Sequence, residues 1–396
     1  MIIILGGINQ QDTPPCLICH TPEIIITRGI FDKTVHSKRL DSIANAALGV
    51  ISSTSLIVHR IGIGLADLNG LMDKHAIKQV DRLLSNTKFN LESMFGSWVN
   101  FVIGQRTEIK AVMDWTEFKH DKQTTLMLSL ITKHGRATPL LWETFSTTTL
   151  KNNRNNYEDR VLQKFKNILS DDVKVTILAD RGFCDLKLFE FLIKELKFDY
   201  IIRFRGSFTV TNDKGFSKKA VDWVPKNGKI KTLRGAELTK YKYSVPTIVC
   251  VKEKDMKQEW CIACSDSETS GSEVVKWYAK RRGCEPQFRD TKDLHFGMGL
   301  SETHIKNKQR RDRLLFLAAL SMSLLTMLGA AGEEIGLDRY LKANTVKHRT
   351  MSLFRQGCCY FRKLPKYSED IVNNLMAEFN KILSQQAKIT EILGVI

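Results

Sequence analysis

The sequence predicts an α/β protein whose central sheet is covered by helices on both faces. Three observations carry this. Strand-like runs at 108–114, 124–133 and 137–144 follow one another across short turns, so they pair antiparallel. The runs at 174–180 and 198–205 then alternate with helical patterns at 156–169 and 186–196, as parallel strands with crossover helices do. The 396-residue chain is 43% apolar and 26% charged, an ordinary globular composition that excludes wholesale disorder and can bury a sizeable core.

Residues 1–35 form a leader without clear periodicity, broken by Thr13-Pro14-Pro15. Its apolar start, Met1 to Leu5, lacks a basic flank and is too short for a signal peptide. Residues 36–105 read as an N-terminal helical region. Ala76, Ile77, Val80, Leu83 and Leu84 make an apolar stripe there, and Lys74, Lys78 and Arg82 recur at i, i+4, i+8 on another face. The preceding 61–70, with Gly62, Gly64 and Gly70, suits a short helix or a turn. A basic helix after a tight connection is half of a helix-turn-helix, or equally a helix with a solvated face.

Residues 106–332 hold the sheet. Within them, 206–262 switches to short strands separated by Gly, Asn and Lys, a β-rich insertion, and helix returns over 272–292. Leu314 to Gly332 carries no charge, which fits a membrane span or a helix buried on all sides. Acids at Glu333 and Glu334, with Ala, Ser, Met and Gly inside the run, favour the buried helix. Residues 333–396 form a basic helical C-terminal region. Its last part is amphipathic, with Ile371, Leu375, Phe379 and Leu383 at i, i+4 spacing, suited to dimer contacts or to internal packing.

The formal charge is +17, and it is concentrated. Residues 201–242 carry eleven Lys/Arg against three acids, and 339–366 carry eight against none, so these two blocks hold nearly all of it. Two basic surfaces on a near-neutral body point to a polyanion, nucleic acid ahead of lipid. Nine cysteines without a secretory signal imply reduced thiols and a cytoplasmic protein. Cys16-x-x-Cys19-His20 has the letters of a haem attachment site, yet no export signal accompanies it. Cys261 and Cys264 would point to opposite faces of a strand, so they make no zinc site together.

Three carboxylates carry the chemistry. Asp114 and Asp180 each end a predicted strand, where a side chain projects into the crevice beyond a parallel sheet. Taken alone, an Asp at a strand end is more often a turn or helix cap. On the helix over 272–292, about 100° per residue places Tyr278, Arg281, Glu285 and Lys292 within one narrow arc, with Pro286 kinking the helix just after Glu285. A solvated Arg281–Glu285 pair would contribute only about 0.3 kcal/mol. Four aligned polar groups beside Trp277, Cys284 and Phe288 suit phosphate binding around a metal better.

The spacing Tyr278-x2-Arg281-x3-Glu285-x6-Lys292 resembles the signature of bacterial insertion-sequence DDE transposases of the insertion-sequence-four family. Asp114-Trp115-Thr116 and Asp180-Arg181-Gly182-Phe183 are similar to its two Asp contexts, and the segment 74–86 to its N-terminal helical segment. The similarity spans about 36–361. It implies an RNase H-like catalytic core with a β-rich insertion. It implies that Asp114, Asp180 and Glu285 bind two Mg²⁺ ions, with Mn²⁺ substituting, and that Tyr278, Arg281 and Lys292 hold phosphates near the cleaved end. It also implies a bacterial, nucleoid-associated protein that binds the double-stranded ends of its own element and its target DNA as a homodimer, with no membrane involved. Lys74, Lys78 and Arg82 are then DNA contacts of the N-terminal region.

Overall fold

The computed structural model describes residues 27–31 and 34–394. Most of the predicted leader, including Cys16, Cys19 and His20, lies outside the described residues. Four helices open the main body: α1 (Ser37–Ser53), α2 (Val58–Asn69), α3 (Asp73–Ser85) and α4 (Glu92–Ile103). The ambiguous 61–70 is thus helical. Gly62 is there for close approach, since a Cβ on it would lie 2.5 Å from the Cα of Ile77 in α3. The stripe on α3 buries Ala76, Val80, Leu83 and Leu84, which turns Lys74, Lys78 and Arg82 out to solvent.

Ten strands follow in one sheet: β1 (Glu108–Phe118), β2 (Gln123–Leu130), β3 (Thr138–Ser146), β4 (Lys174–Ala179), β5 (Asp199–Phe204), β6 (Thr209–Thr211), β7 (Ser217–Lys219), β8 (Lys231–Leu238), β9 (Tyr243–Val251) and β10 (Trp260–Cys264). Their spatial order is β3-β2-β1-β4-β5-β10-β9-β8-β6-β7. β4 pairs parallel with both β1 and β5, and the remaining pairs are antiparallel. The segment 206–262 therefore extends the main sheet through the pairing of β10 with β5. Two helices connect the parallel strands: α5 (Arg154–Ile168), and α6 (Leu186–Glu190), which runs on as a π-turn over Phe191–Leu196.

Alternation splits the sheet's side chains between two cores. Ala111, Met113, Ile177, Ala179 and Ile202 join the large core, together with α1 to α4. Val112, Leu178 and Ile201 join a smaller one beneath α7 (Gly271–Lys280) and α8 (Cys284–Lys292). Cys261 and Cys264 fall one on each side, both buried and free.

The uncharged run lies in α9 (Lys308–Glu334), which is long and apolar enough to cross a bilayer but has 94% of its most apolar window buried inside the protein. It is the spine against which α1, β3, α10 (Leu353–Lys363) and α11 (Glu369–Ser384) pack, before α12 (Gln386–Leu393) ends the described chain. The α9–α10 crossing is tight: a Cβ on Gly357 would lie 1.9 Å from the Leu325 carbonyl oxygen. Leu375, Phe379 and Ile382 of α11 are buried in the same core, so internal packing takes up the amphipathic stripe of the tail.

Candidate active site

The β1–β4 register brings the first two carboxylates together. Parallel pairing ends at Met113 opposite Ala179, so Asp114 and Asp180 are the next residues on neighbouring strands. Both share the face of Val112 and Leu178, beneath α7 and α8. Asp114 does not end its strand, contrary to the expectation from sequence. β1 continues to Phe118 because its antiparallel partner β2 satisfies its backbone bonds over that length. Only the parallel pairing stops at Asp114, and that opens the crevice.

Asp180 caps the 3₁₀ turn Arg181–Phe183, its Oδ1 accepting from the Gly182 amide at 2.7 Å. The cap uses one carboxylate oxygen. Asp114 accepts from the Trp115 amide at 2.9 Å through Oδ1, while Oδ2 faces the Cys284 thiol at 3.2 Å and Arg281 Nη1 at 3.4 Å. Burial pushes the Asp114 carboxyl above its ordinary range. Arg281 and Cys284 pull it back, and the charge of Asp180 adds to the rise.

The helix expected over 272–292 is two helices. α7 stops at Lys280, a 3₁₀ turn spans Arg281–Gly283, and α8 starts at Cys284. Pro286 explains the position. It has no N–H to offer and its ring crowds the carbonyl four residues back, that of Arg282, within the turn. The tightening of the helix therefore precedes Glu285 instead of following it.

Contacts relate the four residues. Tyr278 is 3% exposed and packs edge-on against Trp260 at 4.9 Å, and burial raises its phenol. The side chain of Arg281 stands between carboxylates, with Nη2 at 3.4 Å from Glu285 Oε1 and its buried Nε without a partner among the described residues. Glu285 itself is 62% exposed. Lys292 reaches back to β1, donating to Thr116 Oγ1 at 3.1 Å and to the Glu117 carbonyl at 2.6 Å. Burial lowers its ammonium pKa, with Glu117 opposing. Asp114 and Thr116 lie on one face of β1, so the α7–α8 pair is laid along that strand.

Among the described residues no three of His, Cys, Asp and Glu converge as a finished metal cage. The donor chemistry nevertheless suits a hard divalent cation: two carboxylates abreast, and a third one guanidinium away. Lys74, Lys78 and Arg82 stand outside this crevice, on α3.

Other contributors had no signal in the sequence. Arg136, in the β2–β3 loop, pairs with Asp290 of α8 at 2.7 Å, and the Ala137 amide donates to the Gly283 carbonyl at 3.1 Å. The loop thus grips both the break and the helix that begins with Cys284 and Glu285. Cys284, placed by sequence only at the border of a polar face, touches Asp114 directly.

A family model described as the transposase DDE domain matches residues 107–324, more than half of the chain and all of the crevice. No curated protein matches the chain. The chain belongs to the DDE transposase family, and DNA transposition is its class of function.

Proposed function

We propose that this DDE transposase binds the terminal inverted repeats of an insertion sequence, hydrolyses DNA at the element end to free a 3′-hydroxyl, and transfers that end into target DNA by cut-and-paste transposition. The observation that carries the reading is the placement of Asp114 and Asp180 abreast at the end of the β1–β4 pairing, with Glu285 linked to Asp114 through Arg281. The strand order β3-β2-β1-β4-β5, an antiparallel meander followed by two parallel strands, supports an RNase H-like core. The Tyr278, Arg281, Glu285, Lys292 spacing supports the insertion-sequence-four assignment.

In this reading Asp114, Asp180 and Glu285 hold two Mg²⁺ ions, replaceable by Mn²⁺. Bound divalent ions supply a Lewis acid for both the attacking and the leaving oxygen of an in-line displacement. The chain's own part is to bind and orient. Arg281 and Lys292 offer charged donors to phosphates beside the scissile bond, and Tyr278, buried against Trp260, backs the crevice and would meet a phosphate only through its hydroxyl. Lys74, Lys78 and Arg82 add backbone contacts from α3. The protein acts as a DNA-bound homodimer in the bacterial cytoplasm.

The test is incubation of the full-length protein with Mg²⁺ and a DNA fragment carrying the element ends, scored for 3′-nicked, hairpinned and joined products. Asp180→Ala should bind the fragment and neither cleave nor join it. Residual Mg²⁺-dependent cleavage by that variant would sink the site assignment. Cleavage without joining by the unaltered protein would make it a nuclease on the same core.

A further inference from the structure

A groove of about 810 Å³ runs between the start of α1 and the solvent face of α3. His36, Lys38 and Arg39 form one wall, and His75, Lys78 and Arg82 the other. Gln79 and Asn86 add neutral amide donors, and among the described residues no carboxylate lines the groove. Of the three acids on these helices, Asp41 pairs with Arg28 at 2.8 Å and Asp81 with Arg310 at 2.5 Å, and Asp73, at the start of α3, does not line the groove. Lys38, Lys78 and Arg82 form no ion pair among the described residues, and the buried Nε of Arg39 finds no hydrogen-bond partner there. Unpaired cations on facing walls give the groove a positive potential that favours an anion within it.

We propose that this groove binds the sugar–phosphate backbone of double-stranded DNA, with one strand held between α1 and α3. The proposal rests on the DNA-acting reading above and deepens it. Lys38, Arg39 and His36 join the contacts, and α3 serves as a wall. Base edges are read by a convex helix or ribbon inserted into a groove of the duplex, whereas a concave basic trough with amide donors fits phosphates. The groove therefore sets register and affinity without reading sequence.

The test measures binding of the full-length protein by fluorescence anisotropy across a salt series. The probes are a duplex carrying the element end and an unrelated duplex of equal length. Lys38→Ala and Lys78→Ala, one on each wall, should each reduce the slope of log K against log salt by about one unit. Each should weaken both duplexes by the same factor. Lys381→Ala, whose lysine pairs with Glu378 on α11, should leave the slope unchanged. Unchanged slopes in both groove variants overturn the proposal, as does a loss confined to the element-end duplex. A variant effect seen only with phosphatidylglycerol vesicles would also overturn it and mark a lipid surface. If the unaltered protein binds neither duplex, the DNA-acting reading itself fails.

Discussion

Two clusters fasten helices to the β1–β3 end of the sheet with the same residue types, and they differ in one respect. At the crevice, Arg281 faces Asp114 and Glu285, each at 3.4 Å, with Glu285 largely in solvent. At the start of α9, Arg311 is fully buried, paired with Asp121 and bonded to Gln123 Oε1 at 2.5 Å and the Ile305 carbonyl at 3.0 Å. Its guanidinium also lies over the Phe118 ring at 3.9 Å. Closed off from water, the Arg–Asp pair is a fixed part of the core. With one carboxylate open to water, the same pair is exchangeable, and incoming phosphates or cations can compete for its members.

The largest effect that separates the two clusters is on activity. If Asp114 holds a metal ion as proposed, Asp114→Asn should reduce cleavage of end DNA by at least about a thousandfold, several kcal/mol of barrier. Its unfolding free energy, measured by urea denaturation, should stay level or rise, because burial already disfavours the charged form of Asp114. A clear loss of stability would place Asp114 with the structural acids.

Next in size is a stability difference. Arg311→Met should cost about 3–5 kcal/mol by leaving Asp121 buried and unpaired, whereas Arg281→Met should cost less, because Asp114 keeps its Trp115 and Cys284 partners and Glu285 is open to water. Equal costs would erase the distinction between the clusters.

The smallest effect is on pH dependence. Glu158 lies behind the sheet, accepting from Trp115 Nε1 at 2.8 Å, and burial raises its carboxyl from 4.5 to about 7. The folded state keeps a proton that the unfolded chain releases, so this contribution is full below about pH 4.5 and is lost as pH rises to about 7. Stability should fall by on the order of 3 kcal/mol across that window, and Glu158→Gln should flatten the slope. An identical slope in the variant would show that Glu158 is ionised throughout.

Much of this architecture was legible from local pattern. Strand alternation located β1 to β5, and the stripe on α3 separated its buried from its basic face. The buried-helix reading of 314–332 agrees with α9. The errors also have physical causes. β1 outran its predicted end because β2 pairs with it past Asp114, a partnership no local window contains. The helix tightens before Glu285 and not after it, because the ring of Pro286 strikes the carbonyl four residues earlier. Nothing near Arg136 in the chain marks its role, since its partner Asp290 is 154 positions away.

By itself the sequence determined where most strands, helices and core faces lie, and it singled out Asp114, Asp180, Arg281, Glu285 and Lys292. Periods of 2 and 3.6 and the spacing of four residues on one segment are properties of the nearby chain. Only the tertiary structure decided that Asp114 stands beside Asp180, that Arg281 bridges Asp114 to Glu285, and that α1 supplies a second wall to the basic face of α3. Each of these is a contact between segments far apart in sequence, set by strand register, a proline break and helix packing together.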